Sequence, residues 1–159
     1  MKPEILQEIK NFFKDFNIDF YDVNGTPGII INQNDFLKVC KSLKEKFDFD
    51  MLCDAVGLDN FRKEYRFEVV YNLYSTKRKD RFFVKVVISD SKNPKMESLT
   101  QVWKSANWYE REVYDMFGIE FLNHPDLRRI YMPEEFEYFP LRKDFPTMGI
   151  PGSLYLPKK

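Results

Sequence analysis

The sequence predicts an α+β fold: a small mixed sheet with helices packed on it, plus an extended proline- and aromatic-rich C-terminal tail. Three observations carry this reading. Two β-rich segments, Phe67–Ser75 and Phe82–Ser89, are separated by a short charged stretch. Segments with apolar residues at helical spacing flank them on both sides. Six of the nine prolines fall at 125, 133, 140, 146, 151 and 157, where they block long helices and central strands. The expected division is an α+β domain over residues 1–121 and a tail over 122–159.

Taken in order, Ile5, Leu6, Ile9, Phe12, Phe13 and Phe16 recur on one helical face and predict a helix over 4–16. Gly25–Gly28 reads as a turn before a short β-branched strand at Ile29–Ile31. Asn34 is the expected N-cap of a second helix, whose inner face carries Phe36, Leu37, Cys40, Leu43 and Phe47. Residues 49–56 are the weakest strand candidate. Phe67–Ser75 and Phe82–Ser89 form a hairpin across Thr76–Arg81. Ser98-x-x-Gln101 resembles a capping box for a helix running through Trp103. Asn107-x-x-Glu110 resembles another, for a helix over Trp108–Phe117 that ends at Gly118. Trp103 and Trp108 are the expected core anchors of these two helices.

Composition removes several function classes. Lys+Arg and Asp+Glu number 25 each, so there is no basic excess for nucleic acid or an anionic membrane. Two cysteines, Cys40 and Cys53, and one histidine, His124, are too few for a cysteine-held iron–sulfur cluster or a multi-Cys/His zinc site. No apolar run approaches the roughly 20 residues of a membrane-spanning helix, and no signal core opens the chain. Neither a dinucleotide-binding glycine motif nor a phosphate loop is present. The tail still carries Tyr131, Phe136, Tyr138, Phe139, Leu141, Phe145, Leu154 and Tyr155. A solvated segment has little use for such groups, whereas one that lies on a partner's surface does.

The densest group of charges is Glu110, Arg111, Glu112 and Asp115, followed by His124, Arg128 and Arg129. Glu112 and Asp115 are like charges three apart on a helix, and Arg111 precedes Asp115 against the dipole-favoured order. Local helix physics therefore does not account for them. Ion pairs to Arg128 and Arg129 would, and this structural reading outweighs acid–base chemistry by Glu110, Glu112 or Asp115 with His124. His124 precedes Pro125 and is read as a hydrogen-bonded structural group, and Cys40 as core. No catalytic, cofactor-binding or metal-binding residue is expected.

The run Trp108–Phe136, WYEREVYDMFGIEFLNHPDLRRIYMPEEF, followed by Pro140, Leu141, Arg142, Lys143 and Asp144, resembles the thirty-kilodalton (C) subunit family of NADH:quinone oxidoreductase, respiratory complex I. Glu110, Arg111, Glu112, Asp115, His124 and Arg128 stand in that family's signature order, and the match covers about residues 103–147. Asn123 stands where the family commonly has Gly, and Phe136-Glu137-Tyr138 where it usually has Trp-Glu-Gly. The resemblance implies a cofactor-free, non-catalytic subunit of the peripheral arm, with flavin and iron–sulfur clusters in partner subunits. It implies packing against the forty-nine-kilodalton (D) subunit and adjacent iron–sulfur subunits, with the tail running over the forty-nine-kilodalton partner. It implies a peripheral location on the cytoplasmic face of the cell membrane. With the chain ending at Lys159, it also implies a polypeptide separate from that partner. The equivalent subunit of a related membrane-bound hydrogenase or of a ferredoxin- or F420-linked oxidoreductase is the alternative. A stand-alone acid–base enzyme using Glu112, Asp115 and His124 is a third.

Overall fold

A computed structural model describes residues 1–61 and 63–146. The expectations for Pro151, Leu154, Tyr155 and Pro157 lie outside the described residues. The chain forms α1 (Pro3–Phe12), β1 (Ile18–Val23), β2 (Thr26–Asn32), α2 (Phe36–Phe47), β3 (Met51–Asp59), β4 (Phe67–Ser75), β5 (Asp80–Ile88), β6 (Lys95–Glu97), α3 (Ala106–Phe117) and β7 (Glu120–Leu122). Five strands make one sheet in the order β1-β2-β5-β4-β3, with β2 and β5 parallel and the other pairs antiparallel. β6 and β7 form a separate parallel pair. The α+β class with a mixed sheet is as the sequence predicts.

Strict alternation builds the core. Phe67, Val69, Tyr71 and Leu73 of β4 and Phe82, Val84, Val86 and Ile88 of β5 are all fully buried on one sheet face. Helices cover that face. Phe36 of α2 lies 5.1 Å from the Tyr71 ring, and Phe12 and Phe13 at the end of α1 pack on Phe47 of α2. The cross-strand row Val56, Val70, Lys85 and Ile30 has the opposite parity and is exposed or half-exposed. The sheet is therefore covered on one side, and the third helix extends that cover over β3.

Several boundaries differ from expectation. α1 stops at Phe12, because the Phe16 amide turns back to the Phe13 carbonyl before β1 begins. β1 has no counterpart among the sequence expectations, since Asp19 and Asp22 mask its alternation. The turn joining it to β2 is Asn24-Gly25, both at positive φ, one residue before the expected Gly25–Gly28. Asp35, rather than Asn34, precedes α2, and Asn34 instead donates its amide to Asn32 Oδ1. β3 runs over 51–59 instead of 49–56, with a bulge at Cys53.

The expected helix from Ser98 through Trp103 is a pair of turns. Ser98 Oγ donates 2.6 Å to Glu110 Oε2, 12 residues away, instead of capping a helix of its own. Asn107 lies inside α3, so its apparent capping box is not one. Trp103 is a core anchor whose Nε1 donates to the Phe49 carbonyl. Trp108 is 63% exposed and is not.

α3 meets the sheet closely at Gly57, where an added Cβ would lie 2.6 Å from the Phe117 ring. Gly57→Ala should destabilise the chain by about 1–3 kcal/mol through displacement of that ring, read as a lower urea midpoint at unchanged slope.

Candidate functional site

α3 carries the charged motif, and the tail folds back over it. Asp115, on the buried side of α3, is completely inaccessible. Its Oδ1 accepts from Arg129 Nη1 at 2.7 Å. Its Oδ2 accepts three successive backbone amides, from Ile130, Tyr131 and Met132, at 3.0, 2.7 and 3.0 Å. Burial works against the charged carboxylate, but these four donors outweigh it and hold the group below the ordinary carboxylate range. Asp115 thus fixes the backbone of a tail segment that has no strand or helix to fix it.

Arg129 is itself held on several sides. It donates to the Asp115 and Tyr138 carbonyls and lies over the rings of Phe136 and Phe139 at 5.9 and 5.2 Å. Arg111 does not pair with Asp115. Its guanidinium donates to the carbonyls of Arg128 and Arg129 at 2.9 and 3.1 Å and lies 5.0 Å from the exposed Trp108 ring. Arg128 points the other way and makes a two-bond pair with Asp126 at 2.6 and 2.8 Å. Glu112 is exposed and has no ion-pair partner among the described residues. Of the expected pairs from α3 to Arg128 and Arg129, only Asp115–Arg129 forms.

The C-terminal end of α3 has no basic residue in its last turn. The tail supplies one. Arg142 Nε donates 2.6 Å to the Phe117 carbonyl, and the Leu141 amide donates 3.1 Å to the Met116 carbonyl. The Arg142 guanidinium lies between the rings of Phe67 and Phe139 at 5.0 and 4.5 Å. Gly118 is left-handed as expected, and a Cβ there would strike Phe139 and Arg142. Pro140 is half-buried, and Leu141 is exposed.

A second acidic anchor lies outside the residues that the sequence singles out. Asp59 at the end of β3 accepts from Arg66 at 2.9 and 2.8 Å and from the Lys143 amide at 2.8 Å. Asp144 closes the group with a 2.9 Å pair to Arg66. The signal that could have found it is parity: Asp59 falls on the inward-facing register of its strand, where an unpaired charge would be costly.

Glu110 is fully buried and joins three elements. It accepts from Ser98 Oγ, from the Leu99 amide at 2.7 Å and from the Tyr71 hydroxyl of β4. Burial pushes its carboxyl up to about 7, against the opposing pull of those donors. His124 uses both ring nitrogens on backbone: Nε2 faces the Asn107 carbonyl at 3.1 Å, and Nδ1 accepts from the Asp126 amide at 3.0 Å. Asn123 just before it is left-handed at φ 60°, so the turn survives the replacement of glycine. Tyr138 does not adopt positive φ, and its ring joins those of Phe136 and Phe145.

The structure does not bring Glu112, Asp115 and His124 together as an acid–base set. Glu112 is in solvent, Asp115 is saturated, and both nitrogens of His124 are committed. Among the described residues no group of three or more His, Cys, Asp and Glu is placed to hold a metal. The arrangement is a device for holding a chain segment in place.

Arg129→Ala should cost about 3–5 kcal/mol by stranding a buried carboxylate, whereas Arg128→Ala should leave the urea midpoint near that of the parent. Glu110 binds its proton more tightly folded than unfolded, so its contribution is full below about pH 4.5 and is lost as pH rises through about 7. Urea titrations at several pH values should show Glu110→Gln lacking that decline.

Residues 29–150 match the family described as respiratory-chain NADH dehydrogenase, 30 Kd subunit. The NADH-quinone oxidoreductase C subunit of Geotalea uraniireducens is 38% identical over 142 residues, which are 89% of this chain and 86% of that protein. The second C subunit of Rhizobium meliloti is 44% identical over 133 residues, 82% of this chain and 72% of that protein. The second C/D subunit of Aquifex aeolicus is 42% identical over 147 residues, 92% of this chain but 24% of that longer protein. The solved trypsin-resistant fragment (1–134) of Nqo5 superposes with a TM-score of 0.64 at 34% identity, covering 78% of this chain and 97% of the fragment. A chain of an archaeal membrane-bound sulfane sulfur reductase has a TM-score of 0.78 at 23% identity, covering 91% of this chain and 85% of its own, which shows the shared fold. With three quarters of its residues inside the family match and relatives of this identity over most of its length, the chain belongs to the 30 Kd, or C-type, subunit family of NADH-quinone oxidoreductase.

Proposed function

We propose that this complex I subunit is a non-catalytic, cofactor-free assembly element that docks the forty-nine-kilodalton (D) subunit on the face formed by α3 and the tail. The observation that carries this is the fixed course of the tail. Asp115 holds its backbone and Arg142 ties it to the end of α3, while Trp108, Tyr131, Tyr138 and Leu141 remain 63, 61, 45 and 53% exposed. Large apolar groups held outward at defined positions are what an interface needs. The tail from residue 122, with Trp108 of α3, is the partner-facing part of the chain, and the remainder of residues 1–121 is its support. Arg111, Asp115, His124, Arg129 and the 140–144 block act by setting the tail's position, and Glu110 by fixing α3 to the sheet.

The joined C/D name of the Aquifex aeolicus relative supports the forty-nine-kilodalton subunit as the partner. Iron–sulfur clusters are assigned to neighbouring subunits, since two cysteines and one histidine offer too few ligands here, and the flavin is assigned to a neighbouring subunit with them. Among the described residues no helix is long and apolar enough to cross a membrane. Membership of a respiratory-chain family is the ground on which we assign a peripheral position in the arm, at the cytoplasmic face. The three relatives named above all carry the NADH-quinone oxidoreductase name, which favours NADH as donor over the hydrogenase and ferredoxin- or F420-linked alternatives.

The test is purification of the tagged chain from solubilised membranes, with copurifying chains identified by mass spectrometry. The forty-nine-kilodalton subunit together with flavin-bearing NADH-oxidising subunits is expected, and recovery of the chain alone would overturn the reading. Cutting after Phe121 would also strip Asp115 of all four donors, so point changes separate folding from docking more cleanly. Tyr131→Arg combined with Leu141→Arg should leave thermal stability near that of the parent and abolish recovery of the forty-nine-kilodalton subunit.

A further inference from the structure

The junction between domain and tail is held at its far end by Arg111, on the Arg128 and Arg129 carbonyls, and at its near end by the His124 ring. β7 ends at Leu122, Asn123 turns through a left-handed conformation, and His124 follows. Its imidazole spans from the first turn of α3, at the Asn107 carbonyl, to the Asp126 amide. The Asp126 amide is a donor only, so Nδ1 must be the bare acceptor, and the ring proton must sit on Nε2, donating to Asn107. The geometry therefore admits one charge state and one tautomer.

We propose that His124 is a proton-sensitive latch that holds the 123–128 turn against α3 while the ring is neutral and releases it on protonation. A proton on Nδ1 would set two donors facing each other at a 3.0 Å separation. It would also place a cation beside Arg111 of α3. Asp126 is the facing group that would favour the cation, but both its oxygens are already engaged by Arg128. Burial, aided by Arg111, depresses the imidazole below its usual value against the opposing effects of the Asn107 bond and Asp126. The folded chain then binds this proton less readily than the unfolded chain, so the stabilisation is full above about pH 6.5 and falls away below it. Asp115 and its three amides lie beyond the turn, so release loosens the junction without freeing the whole tail.

Because the sequence has a single histidine, its imidazole nitrogens give one unambiguous signal in a 15N-histidine-labelled full chain. The expected result is the Nε2–H tautomer near neutral pH and a titration midpoint below 6.5. Amide protection at Asp126 and Arg128 should fall about tenfold or more through that same midpoint. In His124→Asn, which keeps an acceptor and a donor but does not titrate, protection at these amides should not vary with pH. A mixed tautomer population at neutral pH would overturn the proposal. So would protection that persists after the ring is protonated, as a compensating pair with Asp126 would give. Should the Asn variant fail to fold, the coincidence or separation of the two midpoints in the parent chain decides.

Discussion

The architecture of the C-terminal third depends on one carboxylate. Asp115 cannot be buried unless its charge is answered, and the answer comes from Arg129 and three amides in a segment with no regular secondary structure. Removing the donors leaves a buried charge, and removing the carboxylate leaves three amides without a partner. Each side makes the other obligatory. This explains why a proline-rich stretch that would otherwise read as a loose tail has a definite course to Pro146.

α3 is the hub through which this constraint reaches the sheet. Phe117 packs on Gly57, Glu110 bonds to Tyr71, and the carbonyls of Met116 and Phe117 are satisfied by Leu141 and Arg142. The helix is thus stabilised at its C-terminal end by residues that come 25 positions later. Two titrating groups near its start pull in opposite directions: Glu110 favours its protonated form in the fold, and His124 its neutral form. Their opposed slopes overlap on the acid side of neutrality and partly offset each other there.

The sequence is most legible where period and polarity agree. β4 ends where expected because every second residue from Phe67 to Ser75 is inward. β1 is hidden because an edge strand with outward aspartates has little alternation to read. The apparent capping boxes at Ser98 and Asn107 mislead for one reason: Ser98 and Glu110, from separate boxes, are partners of each other across 12 residues. Short-range motifs assume short-range partners. The failure of helix physics to explain Arg111 and Asp115 correctly signals tertiary contacts. It cannot say which arginine answers, and Arg128 and Arg129 take opposite roles. Asp59 and Arg66 lie outside the motif and carry no local signal beyond strand parity, although they anchor Lys143 and Asp144.

Apart from Arg129, Arg142 and Asp144, the tail is recognised largely through its main chain. Asp115 binds amides, Arg111 binds carbonyls, Asp59 binds the Lys143 amide, and His124 binds the Asp126 amide. Main-chain groups are the same whatever side chain they carry. The outward residues can therefore be exchanged to suit a different neighbour while the path of the segment stays put. Drift in the partner's surface can be followed one residue at a time, with no intermediate in which the scaffold is lost.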